Sequence, residues 1–378
     1  MTLDLADLPV IDGHCHPPLG EATPLTPETF PDLFTEARPG ALTPQLATSL
    51  YYRRALRDLG GLLGVPPEPA AILAARATPD ASRRLAEAFG RERLEALLVD
   101  TAYPPGAMPL ERMRALLPCR VLEVFRLETF AEDLLARALP FKDLVEAFAD
   151  GVQAATRECI ALKSIIAYRS GLGVKLGDRK AAEADYARLL AGDPSARRRL
   201  TAKGLLDHLL EAALELAAET GRVLQLHTGL GDPDLDLLQA NPLLLKPILD
   251  DPRFAGVRLV LLHAAYPYTR EAGYLAAVYP GVYVDLSLAL PILGPAFVPL
   301  LRELLALAPT GKLLYGSDLG ALPELYCLGA ARARQALAEA LGGLVKDGAL
   351  GEGEAREAAA GILAENATRL YGLVVAGG

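Results

Sequence analysis

Five histidines occur in this chain, and two of them stand one residue apart in Val-Ile-Asp-Gly-His-Cys-His, residues 10–16. In an extended strand residues i and i+2 share a face, so His14 and His16 project together while Cys15 points the other way. Two neutral imidazoles aimed at one point make half a metal site. The plain alternative is a His-x-His pair that only decorates a turn.

Three further residues bear on that choice. His227 closes the apolar run Val-Leu-Gln-Leu-His-Thr, His263 closes Arg-Leu-Val-Leu-Leu-His-Ala, and Asp318 closes Leu-Leu-Tyr-Gly-Ser-Asp. His14, His16, His227 and Asp318 together supply the nitrogen and carboxylate ligands that suit zinc, with manganese or iron as alternatives. The plain alternative for Asp318, the lesser of its two readings, is a loop cap after Ser317. His208 is a useful contrast: it sits in the helical pattern Leu-Leu-Asp-His-Leu-Leu and reads as a packing or surface histidine. Lys163, within Ala-Leu-Lys-Ser-Ile-Ile-Ala-Tyr, is flanked by apolar residues that make an unpaired ammonium costly. It is a salt-bridged structural lysine, a neutral base, or a lysine carbamate bridging two metal ions.

These residues need elements to bring them together. Short apolar runs recur at 8–12, 97–103, 119–127, 160–168, 223–228, 258–264, 282–288 and 313–318, with helical spacing between most of them. Residues 205–221 are an example, a helix that Gly221 can close. Eight near-continuous apolar strands alternating with helices predict a parallel sheet closed as a (β/α)8 TIM barrel; a doubly wound open sheet is the runner-up. In a barrel every strand's carboxyl end opens on one face, so residues three hundred positions apart converge there. Two stretches exceed ordinary connections: 18–95, read as a mostly helical insertion or lid after the first strand, and about 170–204, a charged helical insertion after the fourth. The whole of 1–378 reads as one barrel domain.

Hydrophobic residues make up 51% of the chain and charged ones 22%, a globular composition. Acids outnumber bases, 47 to 38, and the net charge of −9 argues against nonspecific binding to nucleic acid or to an anionic membrane. Residues 286–301 are uncharged but broken by Pro291, Pro295 and Pro299, too short for a membrane span. The start has no basic segment leading into a long apolar core, so the expected location is the cytoplasm. Cys15, Cys119, Cys159 and Cys327 show no paired spacing and are expected as free thiols.

The pattern Asp12-Gly-His14-Cys-His16, Lys163, His227, His263 and Asp318 resembles the amidohydrolase superfamily, in its amidohydrolase-2 branch of metal-dependent barrel enzymes. Residues 160–335 are similar to the amidohydrolase part of plant nodulin and fungal proteins that carry a glutamine synthetase domain behind it. No room for such a domain follows Gly378, so a synthetase partner is expected only as a separate chain.

The resemblance implies one or two divalent ions per chain, held by His14, His16, His227 and Asp318, with Lys163 joining if carboxylated. It implies hydrolysis of an amide or other C–N bond in a small carboxylate-bearing substrate, Asp318 moving the proton of the attacking water. His263 is then a second-metal ligand or a free acid, base and oxyanion stabiliser. Decarboxylation and sugar-acid isomerisation are the alternative reactions, and a non-catalytic partner of a synthetase the last. Arg126, Arg169 and Arg270 are candidates to clamp the substrate carboxylate, or else surface and inter-loop salt bridges. Tyr266 and Tyr268 line the pocket or shape the loop around Pro267, and Glu324 orients a ligand or caps a helix. A homodimer is the expected assembly.

Overall fold

A computed structural model describes residues 3–20, 23–193 and 199–373. Its eight strands are β1 (Val10–Cys15), β2 (Leu94–Asp100), β3 (Arg120–Arg126), β4 (Ala161–Ser164), β5 (Val223–Leu226), β6 (Arg258–Leu261), β7 (Val282–Asp285) and β8 (Leu313–Leu314). They pair in parallel in the order β1 to β8. The ring then closes on itself. Gly13 N–H donates to the Tyr315 carbonyl at 2.9 Å, and the Ser317 and Asp318 N–H groups donate to the His14 carbonyl at 3.1 and 2.8 Å. A Cβ on residue 13 would stand 2.9 Å from the Tyr315 oxygen, so this seam requires glycine. Sequential order with closure is the TIM barrel and rules out the doubly wound sheet.

Several strands stop sooner than their apolar runs. Ile166–Arg169 is a helical turn rather than the end of β4, and the chain leaves the ladder two residues into β8. Apolar character persists because these exit segments stay buried after the pairing ends. Inside the barrel, Ile11, Leu98, Val124, Ala161, Val223, Val260, Leu262 and Leu314 form a single core, which the C-terminal segment plugs with Ala367, Leu370 and Tyr371. The outward strand residues pack against the surrounding helices.

Residues 18–95 hold helices α1 (Leu50–Leu63), α2 (Pro69–Arg76) and α3 (Ala81–Arg91), with residues 21–22 outside the described set. Ser49 caps the start of α1, and Gly64 ends it in the left-handed region at φ 70°. The insertion owns a core of Phe30, Phe34, Tyr52, Leu59, Leu63 and Ile72 that also takes in Leu322 and Leu325 from the segment after β8. Each fully buried side chain of this kind is worth about 1.5–3 kcal/mol. Polar ties add to it: Arg76 Nε to Glu324 Oε1 at 2.8 Å, Arg332 to Asp58, and Arg54 to the Pro291 carbonyl. The insertion is therefore fixed to the barrel as a wall.

The second insertion contains α4 (Arg179–Ala191), capped by Asp178 and tied to α5 (Lys203–Thr220) through Asp185, whose Oδ2 accepts the Gly204 and Leu205 N–H groups. Its charge run lies partly on a solvated face, as the exposed Arg179–Glu183 pair shows, while residues 194–198 fall outside the described set. Gly221 ends α5 at φ 64°, where the sequence places the stop. Among the other helices are α6 (Thr269–Val278), α7 (Ala289–Leu293), α8 (Phe297–Leu307) and α9 (Glu324–Lys346). The apolar stretch 289–307 is interrupted at Gly294, and α8 turns Phe297, Val298, Leu301 and Leu304 inward.

Candidate metal centre

At the carboxyl end of the barrel, three ligand atoms converge. Asp318 Oδ1 lies 3.0 Å from His14 Nε2 and 3.2 Å from His16 Nε2. One ligand atom from each of these residues falls within 4.8 Å of the others. Asp318 Oδ1 approaches both nitrogens yet is buried without a hydrogen bond of acceptable alignment. Ligand atoms that crowd together in this way fit a cation that would sit among them.

The tautomer of His16 agrees with this. Its Nδ1 faces the Asp100 carbonyl at 3.2 Å, and a carbonyl can only accept, so Nδ1 carries a hydrogen and Nε2 is the nitrogen turned to the cluster. Burial, then the positive charge of Lys163, lowers His14 to about 4, keeping the imidazole neutral. Burial pushes the Asp318 carboxyl up, but the imidazoles of His263, His14 and His16 outweigh it and hold the group well below the usual carboxylate range. A neutral His14 imidazole and an ionised Asp318 carboxylate are charge states that a divalent ion needs in its ligands.

Backbone strain is concentrated here. Asp318 has φ 59° and His263 φ 67°, the left-handed region that residues other than glycine seldom occupy, Asp and His more readily than most. Asp318 is held there by its N–H on the His14 carbonyl, and behind it Asp12 Oδ1 accepts the Ser317 N–H at 2.8 Å.

Lys163 projects from β4 into the same space, its Nζ 3.1 Å from His14 Nε2 and the residue 2% exposed. Burial lowers its amine to about 8 against the pull of Asp100 and Asp318. No salt bridge to it occurs among the described residues, which removes the salt-bridged reading and leaves the amine or its carbamate.

His227 and His263 meet each other instead of joining the three-residue cluster. His263 Nε2 is 2.9 Å from His227 Nδ1, and His263 Nδ1 is 2.9 Å from Ser287 Oγ. Both nitrogens of His263 are thus engaged, so in this arrangement it is neither a ligand nor a free acid or base. His227 Nε2 is buried without a partner.

The anticipated substrate residues fare differently. Arg126 is at the site, its Nε and Nη2 bound to Asp100 Oδ2 at 3.0 and 2.6 Å. Arg169 pairs with Glu132 at 3.1 Å, the inter-loop alternative. Arg270 is not a clamp: it lies on the outer helix α6, three-quarters exposed, in a two-bond pair with Glu303 of α8. A residue at the start of a barrel helix points outward, which the linear distance from His263 conceals. Tyr268 donates to the Leu237 carbonyl at 3.2 Å, and the Tyr266 carbonyl accepts the Leu230 N–H at 2.6 Å. Both rings pack against the hydrophobic core. These tyrosines therefore shape the loop. Gly229 serves the same joint at φ 68°, since a Cβ there would meet the Tyr266 oxygen at 2.3 Å. Glu324 neither caps nor faces the centre; it anchors the insertion through Arg76. His208 stacks on Phe141 in α5, as a packing histidine should.

Sequence reasoning missed several neighbours. Asp100 and Asp285 end β2 and β7 in Leu-Leu-Val-Asp and Val-Tyr-Val-Asp, the same strand-end signal that singled out the histidines. Tyr103 stands 5.5 Å from the His16 ring and Tyr168 4.4 Å from the His227 ring. Glu36 of the insertion also faces the centre; burial, then the charges of Asp318 and Asp232, raises it to about 7. Nothing in its sequence neighbourhood marks Glu36.

The amidohydrolase-2 family model, described as amidohydrolase, matches residues 11–373. Among curated proteins, fluG of Emericella nidulans is 32% identical over 97% of this chain. The alignment takes in 46% of that protein, so the chain spans about half the length of the curated relative it matches. Among solved structures, a presumed metal-dependent hydrolase of Lactobacillus casei is 29% identical, covers 98% of each chain and superposes with a TM-score of 0.86. A uronate isomerase of Thermotoga maritima is 14% identical over 97% of this chain and 95% of its own, with a TM-score of 0.65, a likeness of fold alone.

Proposed function

We propose, for a chain that belongs to the amidohydrolase-2 family, a metal-dependent hydrolysis of an amide or other C–N bond in a small substrate that carries a carboxylate. The observation that carries this reading is the convergence of His14 Nε2, His16 Nε2 and Asp318 Oδ1 at the carboxyl end of the barrel. The Lactobacillus casei likeness, at 29% identity, supports a hydrolase over the other reactions of this fold.

His14, His16 and Asp318 would hold a divalent ion, zinc or alternatively manganese or iron, with His227 and Lys163 beside them. Such an ion supplies Lewis acidity to the scissile carbonyl and acidifies water. Asp318 is ionised at neutral pH and is the base that takes the proton of the attacking water and returns it to the leaving nitrogen. Tyr103 and Tyr168 flank the histidines, their rings packed against those of His16 and His227. Arg126 commits Nε and Nη2 to Asp100; its Nη1 is the group that would meet a substrate carboxylate.

The test is product identity. Zinc-loaded protein is incubated with γ-glutamyl amides, hydroxybenzoates and uronates, and release of amine or ammonia, release of carbon dioxide and sugar-acid interconversion are assayed in parallel. Amine release that falls at least about a thousandfold in Asp318→Asn is expected. Carbon dioxide release or isomerisation in place of amine release would overturn the reading.

A further inference from the structure

The hydrogen bonds behind His227 run in one direction. Asp285 Oδ1 accepts the Ser287 backbone N–H at 2.9 Å and the His263 backbone N–H at 3.3 Å. Already facing two N–H donors, this oxygen is an acceptor whether the carboxyl is ionised or protonated, since a proton would reside on the unpartnered Oδ2. The Ser287 hydroxyl, in contact with Oδ1, therefore donates to it. Its oxygen is left to accept, so His263 Nδ1, 2.9 Å away, carries a hydrogen. His263 is 1% exposed and has no carboxylate within salt-bridging distance among the described residues, so the ring is neutral and its lone pair lies on Nε2, which faces His227 Nδ1 at 2.9 Å. His227 must donate from Nδ1, and its Nε2 is bare.

We infer that Asp285 and Ser287 are positioning residues which, through His263, hold His227 as the Nδ1–H tautomer and so present its unprotonated Nε2 as a further donor to the metal centre. The inference rests on the metal-site reading above. Neither residue touches the ion or the substrate; each fixes which nitrogen of the next ring bears the hydrogen. The relay also assigns His263 a task that its two engaged nitrogens permit. The unpartnered, buried state of His227 Nε2 is what such a relay produces, because a protonated nitrogen there would be an orphaned donor.

Two measurements test it. The first is long-range ¹H–¹⁵N spectroscopy of metal-free protein labelled at histidine, the signals assigned by single substitutions. His227 and His263 are both expected as Nδ1–H tautomers; an Nε2–H form at either would overturn the inference. These spectra involve neither metal nor substrate, so they stand even if the hydrolase reading fails.

The second is zinc affinity by chelator competition in wild type, Ser287→Ala, His227→Ala and the double variant. Ser287→Ala is expected to weaken zinc about 10–100-fold, with no further loss when added to His227→Ala. An equal loss in both backgrounds would mean that Ser287 merely supports the fold, and would overturn the role. If Ser287→Ala does not fold, the wild-type spectra still decide.

Discussion

Lys163 Nζ and His14 Nε2 stand 3.1 Å apart, and among the described residues no carboxylate lies within salt-bridging distance of the lysine. Burial brings the amine down to about 8, so its neutral, nucleophilic form is accessible at mildly alkaline pH. A cation held by His14 would repel an ammonium at that distance, favouring the neutral or carboxylated lysine. Elemental analysis is expected to count two ions per chain near about pH 9 with bicarbonate, and one in Lys163→Ala. A count of one under every condition would mean that the lysine remains an amine.

Glu36 gives a pH signature to the insertion. Its folded-state value, about 7, lies above the ordinary 4.5 because burial and then Asp318 and Asp232 disfavour the charge. The unfolded chain therefore loses this proton first. Stability contributed at this position falls as pH rises from about 4.5 to about 7, and the penalty is complete above that. In Glu36→Gln the penalty is absent. Thermal melts should show the variant gaining on wild type across that window by about 1 kcal/mol after solvent screening at the open mouth. A difference independent of pH would place Glu36 in water.

Arg126 and Arg270 should behave as opposites. Arg126→Ala leaves the fully buried Asp100 carboxylate unpaired and is expected to cost about 3–5 kcal/mol of stability, together with activity. Arg270→Ala removes an exposed pair with Glu303 and should change stability by less than about 1 kcal/mol, leaving kcat and KM alone. Urea denaturation and steady-state kinetics on both variants separate these outcomes.

The insertion should be a wall rather than a swinging lid. Arg76→Ala strips the partner from Glu324, which is 5% exposed, and is expected to cost about 2–4 kcal/mol. Hydrogen exchange in α1 and α2 should accelerate in that variant while the barrel strands keep their protection. Rapid exchange of these helices already in wild type would contradict the anchoring.

By itself the sequence determined the barrel and singled out three residues, His14, His16 and Asp318, whose ligand atoms the fold brings together. Strand patterning and the strand-end rule are local properties, so His14, His16 and Asp318 were legible although three hundred residues separate them. Asp100 and Asp285 were legible by the same rule, but a carboxylate after a strand draws less notice than a histidine. Tertiary structure decided everything that depends on direction. It turned Arg270 outward and Arg126 inward, since the face a side chain occupies on a helix or strand end depends on where that element docks. It paired His227 with His263, and it brought Glu36 from the insertion over the centre, because hydrogen-bond direction and long-range charge exist only between groups that folding has placed side by side.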